Sequence, residues 1–131
     1  MGKKWNVLFV FAFILISHHS MAQDQSAPLE KVEVEASFPG GQAAWNKYIT
    51  QQLMLHVNDF TTRDVGTCTI RFIVDINGET KDVQATNMKK TKLAKASIEA
   101  IENGPRWIPA QQDGKAVNAY RIQPVSLQSG N

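Results

Sequence analysis

The sequence predicts an α+β fold in which two helices pack on one face of a small antiparallel sheet of about three strands. Three features lead to this prediction: two stretches with helical periodicity, an Asn77-Gly78 turn between two extended runs, and a final extended run after the second helix. The predicted order is therefore helix, strand, strand, helix, strand. A parallel sheet would need strands and helices that alternate, so this order favours an antiparallel sheet with its helices on one side.

The first 22 residues have the three-part pattern of a signal peptide. Lys3 and Lys4 precede an unbroken apolar run over residues 7–16, and Ser20 and Ala22 are small residues at the −3 and −1 positions of a cleavage site. As a helix this run would rise about 15 Å, whereas the bilayer hydrocarbon is about 30 Å thick. We therefore expect export with cleavage after Ala22; the alternative is an uncleaved segment that anchors the protein in the inner membrane.

The mature chain, residues 23–131, has the length of one ordinary domain. Without Lys3 and Lys4 it has twelve basic and twelve acidic residues, so it offers no electrostatic reason to bind nucleic acid. Cys68 is the only cysteine, which excludes an internal disulfide. The stability of the domain must therefore come from packing.

A polar segment, residues 23–37, leads into the folded domain, which we expect to span residues 38–131. Lysine, valine and glutamate alternate over residues 31–35, so the segment is expected to become a strand near its end. Phe38-Pro39-Gly40-Gly41 is a turn. A helix follows over residues 42–53, with an apolar stripe at helical spacing formed by Trp45, Ile49 and Leu53. Residues 56–64 have no clear period and are expected to be irregular.

The clearest element is a β-hairpin. Residues 67–75 alternate in polarity, and their inward positions are Cys68, Ile70, Phe72 and Val74. Asn77-Gly78 follows, and this dipeptide favours a tight hairpin turn because both residues tolerate a positive φ. The returning strand is predicted over residues 79–86.

The second helix is predicted over residues 92–103. Thr91 can cap its start, and Gly104-Pro105 can end it. A turn at Asp113-Gly114 and a last strand over residues 117–127 complete the predicted fold.

The residue types of a catalytic or metal site are scarce. His56 is the only histidine after the predicted leader, and Cys68 faces inward, so neither a zinc site nor a Cys-His nucleophile is expected. The acidic residues Asp75, Glu79 and Asp82 surround the hairpin, where turn chemistry explains them better than acid–base catalysis does. We expect no enzyme, cofactor or small-molecule substrate; a small hydrolase that uses these carboxylates is a distant alternative.

The ordered series of motifs resembles the TonB C-terminal domain, in particular the branch that opens with Phe-Pro-Gly-Gly. The resemblance covers about residues 34–127. The matching segments are Phe38-Pro39-Gly40-Gly41, Gly66, Phe72-Ile73-Val74-Asp75, Asn77-Gly78, Leu93, Pro105-Arg106-Trp107-Ile108-Pro109-Ala110, Gly114-Lys115, Val117 and the closing stretch with Pro124-Val125.

The resemblance implies a periplasmic module associated with TonB-dependent transport across the outer membrane. Members of the family bind the TonB box, a short segment of an outer-membrane receptor, chiefly by β-augmentation at the edge of the last strand. Here the resemblance places partner binding on Gln52 and on the edge residues Val117, Asn118, Ala119, Tyr120, Arg121, Ile122 and Gln123. Pro124 independently suits an edge strand, because a central strand cannot lack a backbone donor.

Two departures from the family pattern motivate an alternative function. Leu55-His56 replaces the family's Tyr-Pro pair, and the lead-in before residue 38 can extend over only about 50 Å. We therefore expect a free module that does not itself transmit proton-motive force. The alternative is an envelope adapter or structural protein that binds a cell-wall polymer or a membrane-complex subunit. Pairing of an open strand between two copies into a homodimer is a further open alternative.

Overall fold

The computed structural model describes Gly2 and residues 26–130, so the predicted leader lies outside the described residues apart from Gly2. The elements are α1 Gly41–Met54, β1 Gly66–Val74, β2 Thr80–Ala85, α2 Lys92–Glu102, β3 Ala110–Gln112, β4 Lys115–Val117 and β5 Ala119–Leu127. Two single-turn 3₁₀ helices, Val57–Asp59 and Thr62–Asp64, lie between α1 and β1. Within the described part of the chain, no helix is both long and apolar enough to cross a membrane.

The main sheet has three antiparallel strands in the order β2-β1-β5. The helix α2 packs on β1 and β2, and α1 packs on α2. The predicted α+β class, with two helices and a three-stranded antiparallel sheet, is therefore confirmed. Because β1 is central, β5 has a neighbouring strand on only one side among the strands that the structure describes.

The core forms between the inward face of β1 and the buried side of α2. The predicted inward residues of β1 are all fully buried, and so are Leu93 and Ile101 of α2. Each such aliphatic or aromatic side chain contributes about 1.5–3 kcal/mol by leaving water. Cys68 is among them, as predicted, and burial raises the pKa of its thiol.

Aromatic rings extend this core beside α2. The rings of Phe38 and Trp107 meet edge to face at 5.5 Å, and Phe38 also contacts Trp45 and Tyr48. Trp107 in turn packs on Phe72 of β1 at 5.0 Å. The Phe-Pro-Gly-Gly turn and the segment after α2 are thereby attached to the same face of the sheet.

The last predicted strand, residues 117–127, is in fact two strands in two sheets. Val117 ends β4 and pairs with Ala110 in a small hairpin with β3, which turns at Asp113-Gly114. Asn118 lies between the sheets, and its side-chain oxygen accepts the Ile76 amide N–H at 2.9 Å. The prediction of one continuous strand was therefore wrong at its start, because a side chain from this position is held by the neighbouring hairpin.

The described part of the lead-in, residues 26–37, bends at Glu30, Lys31 and Glu33 and does not form a continuous strand. It pairs through three isolated bridges: Leu29 with Ala119 in parallel, and Val34 with Gln111 and Ser37 with Ile108 in antiparallel. The strand expected near its end does not form: only the isolated bridges at Val34 and Ser37 occur there, and the bridge at Leu29 adds a contact with β5.

A buried carboxylate organises the segment of residues 56–64, which has no clear period in the sequence. Asp64 is only 2% exposed, and its two oxygens accept the amide N–H groups of Thr61 and Leu93 at 2.8 and 3.0 Å. It therefore caps both the second 3₁₀ turn and the start of α2. Burial alone would raise the pKa of Asp64, but the backbone hydrogen bonds, with one from the Thr61 side chain, lower it below its ordinary value.

Candidate functional site

The pairing of Thr69 with Pro124 shows which way the backbone of β5 faces. The Thr69 carbonyl accepts the Thr86 amide N–H at 2.8 Å, and the Thr69 N–H donates to the Asn87 side chain at 2.7 Å, so both groups point towards β2. Thr69 and Pro124 are opposite each other in β1 and β5. In an antiparallel ladder such a pair is not hydrogen-bonded, so the backbone of Pro124 points away from β1.

The contacts of Leu29 lead to the same orientation independently. Its N–H donates to the Asn118 carbonyl at 2.9 Å, and its carbonyl accepts the Tyr120 N–H at 3.0 Å. The even-numbered residues 118 and 120 therefore face the free side of β5. Strand alternation places Ile122, Pro124 and Ser126 on that side as well.

We define the open edge as the outward backbone groups of Ile122, Pro124 and Ser126. The structure describes no backbone partner for these groups; the Pro124 carbonyl accepts only a 3.3 Å hydrogen bond from the side chain of Gln123. The available groups are two N–H donors, from Ile122 and Ser126, and three carbonyl acceptors. Pro124 has no backbone N–H. Because its backbone faces away from β1, the pairing of β5 with β1 does not need that donor.

The open edge only partly coincides with the predicted partner-binding residues. Val117 is paired with β3, and the outward Asn118 carbonyl and Tyr120 N–H already bond to Leu29. Ala119, Arg121 and Gln123 belong to β5, but their backbone groups face β1. Of the predicted residues, Ile122 alone has its backbone on the open edge, which continues two residues beyond the predicted range, to Pro124 and Ser126.

The side chains of β5 alternate between two different surfaces. Ile122 is 57% exposed on the outer face of the sheet, whereas Gln123 and Val125 are buried on the helix-bearing face. A strand added to the open edge would therefore meet water on one side and the domain's packed face on the other.

Two arginines lie on opposite faces of β5. Arg71, from β1, places its guanidinium 3.7 Å from the centre of the Tyr120 ring on the outer face and pairs with Glu30. On the inner face, Arg121 pairs with Glu35 at 2.8 Å. Both glutamates belong to the lead-in, so this segment is held across β5 by two ion pairs as well as by the Leu29 bridge.

Gln52 is half-buried in the last turns of α1, and its carbonyl accepts the Leu55 N–H at 3.3 Å. Among the described residues, no hydrogen bond or ion pair joins Gln52 to β5. A role of Gln52 in partner binding thus stays a prediction.

The segment that replaces the family's Tyr-Pro pair exposes apolar side chains. Met54, Leu55 and Val57 are 61%, 75% and 49% exposed. Beside them is a groove of about 290 Å³, lined by His56, Asp59, Lys92, Lys95, Ala96 and Glu99. This surface combines apolar and charged groups and is separate from the strand edge.

The hairpin carboxylates have structural partners. Asp75 accepts the amide N–H groups of Asn77 and Glu79, both at 2.9 Å, and pairs with Lys81 at 3.1 Å. Burial alone would raise the pKa of Asp75, but these contacts lower it below its ordinary value. Asp75 thus stabilises the turn as a carboxylate.

The other two acidic residues of the hairpin are exposed. Glu79 lies 3.6 Å from Arg106, and Asp82 has a positive φ at the bulge of β2. The described residues contain no group of three or more His, Cys, Asp and Glu side chains placed to hold a metal ion.

Comparison with known proteins identifies one family. Residues 61–126 match the family described as "Gram-negative bacterial TonB protein C-terminal". The match begins in the 3₁₀ segment and ends within β5, so it includes β1, β2, α2 and the open edge. No curated protein and no solved structure matches the chain.

Proposed function

Because this chain belongs to the TonB C-terminal domain family, we propose that it binds an extended segment of a partner protein by β-augmentation at the open edge. The family consists of non-catalytic protein-interaction domains, and its members locate to the Gram-negative envelope. The proposed partner is the TonB box of an outer-membrane TonB-dependent receptor, and the proposed location is the periplasm. Transport across the outer membrane is the process that this binding would serve.

The observation that carries the proposal is the direction of the backbone of β5. Ile122 and Ser126 each point an N–H and a C=O outward, and Pro124 points a C=O outward. A partner strand could therefore form five main-chain hydrogen bonds without displacing Leu29. Hydrogen bonds of this kind supply affinity that is largely independent of sequence, while the flanking side chains supply selectivity.

The Leu29 bridge supports the same mode of binding. One residue of the lead-in already donates to Asn118 and accepts from Tyr120 on the outward side of the chain. The edge of β5 is therefore compatible with an added strand. A partner strand that pairs from Ile122 onwards would extend this pairing along the same edge of β5.

Peptides with methylated backbones test this mode directly. A fluorescent peptide with a TonB-box sequence is titrated with the protein, and its anisotropy is measured. Two further peptides of the same sequence carry N-methyl groups at alternate residues, one set on odd and the other on even positions. Only one edge of a bound strand faces β5, so one methylated peptide should lose binding and the other should keep it. Equal binding by both would contradict β-augmentation.

A specific observation favours the second candidate function, that of an envelope adapter. Met54, Leu55 and Val57 are exposed together at the end of α1, beside the groove with Lys92 and Lys95. An adapter would use this surface to bind a membrane-complex subunit or a cell-wall polymer. The triple substitution of these apolar residues by serine should then abolish recovery of the protein with the envelope fraction and leave the anisotropy titration unchanged. Undiminished recovery would argue against the adapter function.

A further inference from the structure

The lead-in contacts β5 in the manner of a bound ligand. Leu29 uses main-chain hydrogen bonds to the strand, while Glu30 and Glu35 reach arginines on its two faces. The lead-in bends after Leu29, but main-chain hydrogen bonds to a strand combined with side-chain contacts are also what β-augmentation produces with a separate partner.

On the outer face, the contact with the lead-in is formed by the side chain of Arg71, which reaches from β1 across β5. Arg71 is opposite Ile122 in the β1–β5 register, and its guanidinium lies over the Tyr120 ring at 3.7 Å. From this position it pairs with Glu30, on the far side of β5. A cation held over an aromatic ring keeps its orientation, so Arg71 presents a fixed positive charge at the edge.

On the inner face of β5, the ion pair with Glu35 leaves part of the Arg121 side chain without a partner. Arg121 donates to Glu35 at 2.8 Å and to the Gln123 side chain at 3.3 Å. Its Nε is buried and has no hydrogen-bond partner among the described residues. A guanidinium can donate to a carboxylate through two of its N–H groups at once, so Glu35 uses only part of this donor set.

The exposure of these ion pairs is unequal. The side chains of Arg71 and Arg121 are 37% and 20% exposed, whereas those of Glu30 and Glu35 are 69% and 74% exposed. The arginines are thus fixed to the sheet, and the glutamates approach them from solvent. Exposed ion pairs contribute little stability, so another carboxylate could replace either glutamate at small cost.

We propose that the partner strand is acidic, that its carboxylates replace Glu30 and Glu35 at Arg71 and Arg121, and that these two glutamates occupy the arginines until the partner displaces them. The inference rests on the proposed function and specifies the partner's chemistry. Since Arg71 and Arg121 lie on opposite faces, the two carboxylates must occupy positions of opposite parity, either adjacent or three residues apart.

Three fluorescent octapeptides test the inference. They share a threonine- and valine-rich sequence and contain two adjacent glutamates, two glutamates separated by one residue, or two adjacent glutamines. Each exposed ion pair should add roughly two- to fivefold to affinity. The adjacent-glutamate peptide should therefore bind more tightly than the glutamine peptide, and the peptide with both carboxylates on one face should be intermediate.

Protein variants identify the groups responsible. Arg71→Gln and Arg121→Gln should each reduce the preference for the adjacent-glutamate peptide, whereas Arg106→Gln, at an exposed arginine away from β5, should not. The double substitution Glu30→Gln and Glu35→Gln should increase affinity for all three peptides, with Glu102→Gln as its control. If an arginine variant fails to fold, salt provides a second measurement, because high ionic strength should reduce the preference in the unmodified protein.

The outcomes separate this inference from the proposed function. Equal binding of the glutamate and glutamine peptides, with amide shifts at Ile122 and Ser126, would overturn the acidic partner and leave β-augmentation standing. The absence of amide shifts at these residues with every peptide would overturn both. A preference for glutamate that persists in both arginine variants would also overturn the assignment to Arg71 and Arg121.

Discussion

The amide N–H of Trp107 donates to the carbonyl of Gly78 at 2.9 Å, so the turn of the β1–β2 hairpin lies directly against the segment that follows α2. A Cβ atom on Gly78 would be 2.1 Å from the Trp107 carbonyl oxygen, well inside any real contact. Trp107 also packs on Phe38 and Phe72 in the aromatic part of the core. The glycine thus permits both the hairpin turn and the close approach that positions these rings.

Gly78→Ala should strongly destabilise the domain. The substitution combines a positive φ of 79° with a severe clash against backbone, so we expect a loss of about 3 kcal/mol or more in the free energy of unfolding. Gly114→Ala is the matched control, since Gly114 has a similar φ of 73° but open space around it. It should cost only about 1 kcal/mol. Urea unfolding of both variants measures the difference, and equal losses would contradict the close contact with Trp107.

Asp64→Asn should destabilise the start of α2. An amide has only one acceptor oxygen, so it cannot serve both Thr61 and Leu93 as the carboxylate does, and the loss should be about 2 kcal/mol. The exposed Asp113→Asn is the control, with an expected change within about 0.5 kcal/mol. Chemical denaturation at pH 7 measures both, and a loss at Asp64 no larger than that of the control would refute the capping role.

Acid should also weaken the fold through Asp64 and Asp75. Both carboxyl pKa values are lowered in the folded protein, so the unfolded state binds protons first as the pH falls. The stability that these two carboxylates contribute is fully present above the ordinary carboxyl pKa of about 4. It is lost as the pH falls through their lower pKa values in the folded protein. Unfolding free energies measured between pH 7 and pH 2 should therefore decline mainly below pH 4, and the decline should be smaller in Asp64→Asn. An identical pH dependence in that variant would contradict the assignment.

The parts of the fold that depend on local periodicity could be predicted from the sequence. The stripe of Trp45, Ile49 and Leu53 is buried as predicted, and the alternation through Phe72 gave the correct inward face of β1. These patterns are local, and burial of one face accounts for them completely. Thr91 likewise caps α2 as predicted, through its hydroxyl and the Ala94 N–H.

Features that depend on contacts distant in sequence could not be predicted. The strand divides at Asn118 because its side chain reaches Ile76, and Asp64 is buried because it caps a helix that begins 28 residues later. The lead-in accepts the hydrogen bond of the Tyr120 N–H because Leu29 lies beside β5. No periodicity in the sequence indicates any of these partners, so the predicted edge residues include several whose backbone groups are already bonded or face β1.

Ile122→Pro should weaken partner binding with little effect on stability. The Ile122 N–H points away from β1, so its removal costs no hydrogen bond of the sheet, and proline is tolerated at such an edge position. Peptide affinity should fall about tenfold or more, because one main-chain bond is lost and the ring obstructs the approach of a strand. Gln123→Pro provides the contrast: it removes an inward N–H and should destabilise the domain itself. Unchanged peptide binding by Ile122→Pro would argue against the open edge.

Residue-resolved amide hydrogen exchange, with and without a bound peptide, tests the central claim most directly. In the free protein, the outward N–H groups of Ile122 and Ser126 should exchange rapidly, while those of Gln123 and Val125, which face β1, should be protected. Addition of a strand-forming peptide should protect Ile122 and Ser126 and leave the other two unchanged. Protection of Ile122 and Ser126 already in the free monomer, or none after peptide binding, would contradict the account.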